Sequence, residues 1–244
     1  MHRVAETRPA GTLGLTVFRG DGRVEHIRTA PEPAPTPWPS TNKLSDIVRH
    51  SQPDKSLSDE VNRWRRANRR NLNRRMRHLL AAKAMRLPSF WGALYLEKIR
   101  GDGERIPYGL ASVAVVTTTG VNFIVDAFQN LVELEAMNFH GFGTGAGAEA
   151  VGNTALTTEL TTQYATDNVR PTGTQSENGA NVYRTVATLD PDADVGITEH
   201  GIFSQAATGG GVLLDRSLFS VINLVGATGD TLQATYDFTV TSGG

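Results

Sequence analysis

The stretch GGVLLDRSLFSVINL, Gly210 to Leu224, decides how this chain folds. Its Val, Leu, Phe and Ile residues are opened by glycines and closed by the cluster VGATGD, which reads as a β-strand between turns. Working outward, the same pattern recurs in MNFHGFGTG (137–145), NVYRTVATL (181–189), VGITEHGIFS (195–204) and DTLQATYDFTV (230–240). From Met137 onward the chain is rich in Gly, Thr, Ala and Val and poor in Lys and Arg. Short strands punctuated by Gly, Asn and Asp predict a mainly-β fold, an antiparallel β-sandwich of jelly-roll type. Within it, NTALTTELTTQY (153–164) is expected to hold a short helix capped by Asn153.

Upstream, FWGALYLEKI, ERIPYGLAS and VAVVTTT continue the strands. They are followed by GVNFIVDAFQNLVE, whose Val121, Ile124, Val125, Phe128, Leu131 and Val132 have helical spacing, so one amphipathic helix is inserted. Two copies of one small word flank strand-like runs: FRGDGRV (18–24) and IRGDGER (99–105). RGD is also a cell-adhesion tripeptide. Gly and Asp tolerate the positive φ of tight hairpins, so Gly20, Asp21, Gly22, Gly101, Asp102 and Gly103 are read as turn residues.

The first half has another character. Prolines at 31, 33, 35, 37 and 39 make Thr29 to Lys43 an extended, semi-rigid arm, because proline fixes φ and removes amide donors. Ser56 to Leu87 reads as a helix, with Ser56 or Ser58 as cap, Asp59 and Glu60 at the positive end of its dipole and Pro88 as its stop. Val61, Trp64, Leu72, Met76, Leu79 and Leu80 form its apolar stripe. Between Val61 and Arg86 there are ten Lys/Arg and no Asp/Glu. Residues 1–55 thus form a hairpin and arm, 56–88 a basic helix, and 89–244 the β domain.

Charge divides the same way. Residues 1–110 carry a net +10 and residues 111–244 a net −11, which together give the net −1 of the 244-residue chain. The halves therefore have different partners, or are partners of one another across copies. The helix residues expected to meet a partner are Arg63, Trp64, Arg65, Arg66, Arg69, Arg70, Arg74, Arg75 and Arg77. An acidic protein surface is the preferred partner. Nucleic acid, contacted through phosphates, is the second reading, and a membrane plane or plain solvent follows.

Signatures of other chemistry are weak. There is no cysteine, hence neither a disulfide framework nor a thiolate zinc site. GFGTGAGAEAVG (141–152) has GxGxG spacing but lacks the βαβ surroundings of a phosphate loop, and reads as a loop between strands. Asp190, Asp192 and Asp194 alternate as calcium ligands can, but Val195 and Gly201 stand where an EF-hand needs Gly and Glu, so a solvated turn is preferred. His140 and His200 have no metal-ligand spacing, and Glu199 beside His200 faces the other side of a strand. No nucleophile motif occurs, no apolar run is long enough to span a bilayer, and MHRVAETRPAGTLG lacks the apolar core of a signal peptide. No catalytic residue, cofactor or metal is expected.

The run MNFHGFGTGAGAEAVGNTALTTELTTQY, then NVRPTGTQ, NVYRTVATL, ITEHGIFSQAATGGGVLLDRSLFSVINL and GDTLQATYDFTVTSGG, resembles a family of tailed-bacteriophage structural proteins. The likeness extends upstream through YGLASVAVVTTTGVNFIVDAFQN to LYLEKI at Leu94, and the basic arm lies outside it. It implies a non-enzymatic virion protein, assembled in a bacterial cytoplasm, oligomeric and bound to other virion proteins. A capsid decoration, cement or minor capsid protein whose arm staples neighbours is preferred over a tail, collar or connector protein.

Overall fold

The computed structural model describes residues 4–7, 13–18, 24–28 and 44–242. The chain parts into two units, 1–38 and 39–244. In the first, β1 (Val4–Thr7), β2 (Leu13–Phe18) and β3 (Val24–Arg28) form an antiparallel sheet in the order β1-β2-β3. Phe18 pairs with Val24, so β2 and β3 run as a hairpin. Its turn residues Gly20, Asp21 and Gly22 lie outside the described residues, as does the proline arm.

The second unit begins with α1 (Leu44–Arg49) and α2 (Asp59–Ala84). The strands β4 (Ser89–Ile99) and β5 (Arg105–Val116) follow, then α3 (Thr118–Phe128). Six more strands complete it: β6 (Phe139–Gly143), β7 (Thr174–Glu177), β8 (Val182–Leu189), β9 (Val195–Phe203), β10 (Leu213–Leu224) and β11 (Thr231–Thr241). The decisive stretch is β10. The fold is mainly β, eight antiparallel strands in the order β6-β9-β10-β5-β4-β11-β8-β7 with the helix α3 inserted, as the sequence predicts. The sheet curls until its edges meet. Thr172 bridges Phe139 of β6, while Thr174, two residues on, pairs with Val186 of β8. A curled sheet hides its inner face, so strand residues fill a core: Leu94, Leu96, Phe142, Ile197, Leu224 and Leu232 in one cluster, Ile202, Leu214 and Phe238 in another, which Phe123 of α3 and Met137 complete.

Local chemistry sets the boundaries. The Ser58 hydroxyl accepts from the Val61 amide, and Asp59 and Glu60 occupy the first turn of α2. The helix ends at Ala84, ahead of Pro88, because Arg86 turns left-handed at φ +53° and the Leu87 amide reaches back to the Ala82 carbonyl. The Thr117 hydroxyl caps α3 by accepting from the Gly120 amide at 2.9 Å. Arg100 to Gly103 closes the β4–β5 hairpin: Gly103 adopts φ +87°, and the Asp102 carboxylate accepts from the Glu104 amide.

One expectation fails. Residues 153–164 form no helix. The Thr157 and Thr158 amides instead donate to a buried carboxylate, that of Glu199, at 3.0 and 2.7 Å, and the Thr158 carbonyl accepts from Thr144. A helix would turn those groups inward along its own axis. Among the described residues no helix is long and apolar enough to cross a membrane.

Candidate functional site: the arginine helix and the loops it touches

β5 and β10 pair only at Val115 and Val116 with Arg216 and Asp215. Beyond that point the strands part, and the inner face of α2 lies over the gap. There the side-chain amide of Asn68 replaces the missing ladder. Its oxygen accepts from the Ser220 amide of β10 at 2.9 Å, and its nitrogen donates to the Ala111 carbonyl of β5 at 2.6 Å. One turn earlier, the Trp64 indole donates to the Ser220 carbonyl at 2.7 Å. Buried backbone groups that cannot pair with each other are thus satisfied by the helix.

Arg65 is buried on this same face. Its guanidinium donates to the Tyr108 carbonyl at 2.8 Å and to the Gln52 carbonyl at 2.7 Å. Gly109 makes room for it: its φ of +88° sits at a register shift in the β4–β5 pair, and a Cβ there would overlap the guanidinium and the His50 carbonyl. Toward the other end of α2, Arg74 and Arg75 converge on Glu149 at 2.9 and 2.6 Å. Glu149 is only 1 % exposed and also accepts from the Leu218 amide of β10. Of the nine predicted contact residues, Trp64, Arg65 and Arg75 are therefore held by the chain itself. Arg74 is shared between Glu149 and solvent. Arg63, Arg66, Arg69, Arg70 and Arg77 are exposed. Arg63, Arg66, Arg70 and Arg77, with Arg74, recur three and four apart and so form one outward ridge.

The glycine-rich loop after β6 has its own occupant. Glu199 of β9 and Arg216 of β10 form an ion pair at 2.6 Å, 0 % and 1 % exposed at their side chains. The loop wraps it. Gly145 donates its amide to Glu199 at 3.0 Å, while the Gly147 and Ala148 carbonyls accept from Arg216 at 2.9 and 3.3 Å. The loop that resembles a phosphate cradle thus grips a carboxylate and a guanidinium of its own chain. A second buried arginine, Arg170, pairs with Glu159, donates to the carbonyls of Gln205, Ala207 and Gly210, and lies 3.6 Å over the Phe203 ring.

The inner face holds a further polar group. His140 Nδ1 and His200 Nε2 are 3.0 Å apart, and His140 Nε2 meets the Thr185 hydroxyl at 3.1 Å. Burial pushes His140 down to about 3 and His200 well below its ordinary value. Burial also pushes the Asp215 carboxyl up to about 7. Tyr236 lies close enough to influence that carboxyl, yet neither side chain makes a well-formed hydrogen bond. These are acid–base groups in kind, but all four are fully buried, so nothing on the surface reaches them. Among the described residues no cluster of His, Asp or Glu is arranged to hold a metal, Asp190, Asp192 and Asp194 included.

Sequence reasoning singled out the arginine helix but missed Asn68, Glu149, the Glu199–Arg216 pair and Arg170. One signal was present. Arg170, Arg184 and Arg216 are the only Lys/Arg after residue 110, and each is paired with a carboxylate. Scarce cations in an acidic β-domain mark structural pairs. No protein-family model matches the chain, and no curated protein matches it.

Proposed function

We propose that the chain is a non-enzymatic structural protein of a tailed-phage particle, bound at the capsid through the arginine ridge of α2. One observation carries this reading. The inner face of α2 is fastened to its own sheet by Trp64, Arg65, Asn68 and Arg75, while Arg63, Arg66, Arg69, Arg70 and Arg77 remain exposed. A ridge of cations on a fastened helix loses little entropy when a partner arrives, so it suits docking more than solvation. The resemblance from Leu94 onward supports the particle, and the preference for the capsid over the tail rests on the arm that precedes the ridge. The ridge would meet an acidic neighbouring subunit, and many copies would make modest contacts strong.

The even spacing of the ridge also suits a phosphate backbone, which makes nucleic acid the second reading. The test reverses Arg63, Arg66, Arg69 and Arg70 to Glu together and measures incorporation into particles beside retention of duplex DNA by the full chain. Loss of incorporation with no DNA retention at any salt supports protein docking. Unchanged incorporation removes the ridge from the mechanism. Salt-sensitive DNA retention by the wild type, abolished in the variant, transfers the ridge to nucleic acid.

A further inference from the structure

Two other surface features belong together. The outer face of α3 and the chain just after it leave large apolar side chains in solvent: Val121, Val125, Phe128 and Leu131, with Phe128 82 % and Leu131 68 % exposed. Val121, Val125 and Phe128 are spaced four and three apart and form one stripe, with Phe128 at its tip. Asp126, Glu133 and Glu135 lie within seven residues of that tip along the chain, and there is no Lys or Arg between Arg105 and Arg170. This is an apolar knob in an acidic setting.

The second feature is its complement. Where the last turns of α2 diverge from the ends of β4 and β5, an open groove of about 380 Å³ is lined by Leu79, Ala82, Phe90, Trp91 and Val115. That volume lies within the range of sites that take whole ligands, ~300–1,000 Å³, so one aromatic side chain and an aliphatic neighbour fit. Arg75, paired with Glu149, and His78 line it too, and Arg77, Lys83 and Arg86 lie on the same segment, which has no Asp or Glu of its own from Val61 to Leu96. Phe90 at its rim is itself half exposed. Exposed apolar patches of this kind mark contact sites.

We propose that the Phe128 knob of one copy seats in the α2–β4–β5 groove of a second copy of this chain. Charge selects the occupant. A knob whose neighbouring charges along the chain are acids is matched to a groove whose helix carries an excess of bases, Glu149 being already engaged by Arg74 and Arg75, and the two stand in equal number because one chain carries both. The chain's own Phe128 is in solvent and does not fill its own groove. The contact is heterologous, joining two different patches. It closes into a ring, or into a pair that exchanges both contacts, or else propagates. It does not depend on the proposed particle role, since it concerns only the chain's affinity for itself.

The test is sedimentation of the purified full chain over a concentration series, with two variants. Phe128→Asp destroys the knob and leaves the groove. Ala82→Trp plugs the groove and leaves the knob. The wild type is expected to self-associate, and each variant alone to weaken association by about 30-fold or more, as loss of a central aromatic anchor does. An equimolar mixture of the variants is expected to form heterodimers and nothing larger, because one intact knob and one intact groove remain. Unchanged thermal unfolding shows that the fold is kept, and Phe128→Ser serves if the Asp variant unfolds. A monomeric wild type, a Phe128 variant that associates normally, or a mixture that stays monomeric each overturns the proposal.

Discussion

Asn68 and Ser220 are joined as neighbouring strands would be, although one sits on a helix. The Asn68 amide oxygen accepts the Ser220 N–H at 2.9 Å while its nitrogen donates to Ala111 at 2.6 Å, so one side chain spans the split between β5 and β10. Asn68 is 2 % exposed, hence its loss leaves two backbone groups without partners and without water. Each such group costs about 1–3 kcal/mol. Asn68→Ala should therefore lower stability by about 2–6 kcal/mol in urea unfolding. A loss under ~0.5 kcal/mol would show that the strands or water satisfy these groups unaided.

The buried Glu199–Arg216 pair gives a sharper contrast. Removing one partner of a buried pair strands the other and costs about 3–5 kcal/mol. Glu199→Gln and Arg216→Met should each fall in that range, and the double variant should be more stable than the sum of the two losses predicts. Glu199 also holds the amides of Gly145, Thr157 and Thr158, so its variant should speed hydrogen exchange in the 143–158 segment more than Arg216→Met does. Strict additivity would mean that the two side chains act separately.

The interior acid–base groups make stability depend on pH in opposing senses. His140 and His200 stay neutral in the folded chain, so unfolding takes up protons below about pH 6.5, and the stability they allow is lost as pH falls through that value. Asp215 is raised to about 7, so its contribution is fully present below about pH 4 and lost as pH rises through 7. Asp215→Asn should thus be more stable than the wild type at pH 8, by more at pH 8 than at pH 5, and should lose stability more steeply on acidification. Urea unfolding at pH 5, 6.5 and 8 reads this directly. An equal difference at all three values would mean that Asp215 does not titrate in this window.

The outer ridge should behave differently from everything beneath it. Reversing Arg66 and Arg70 to Glu changes exposed positions, and such changes usually stay within about 0.5 kcal/mol. Arg65→Glu on the buried side should unfold the α2 contact. Equal thermal stability for the Arg65 variant and the ridge variant would contradict the division of the helix into a fastened face and an offered one.

What was legible in the sequence follows from local physics. Alternating and β-branched runs marked the strands, and Ser58 and Gly103 act at the boundaries their chemistry suggests, while the cap at Thr117 lay inside a run read as strand. The basic helix was visible as a charge run, but its inner face was not. Arg65 and Asn68 look like surface residues until β5 and β10 are known to part beneath them. The helix expected at 153–164 failed for the same reason, since its amides answer to Glu199, about forty positions away. Phe128 was visible as one of six apolar residues at helical spacing, but periodicity shows that a stripe exists and not whether anything covers it.

A density map of tailed-phage particles assembled with this chain present tests the proposed role most directly. The chain should trace on the capsid lattice, with Arg63, Arg66 and Arg70 of α2 turned toward carboxylates of a neighbouring subunit. Absence of the chain from the particle, or its presence with that ridge facing open solvent, would contradict it.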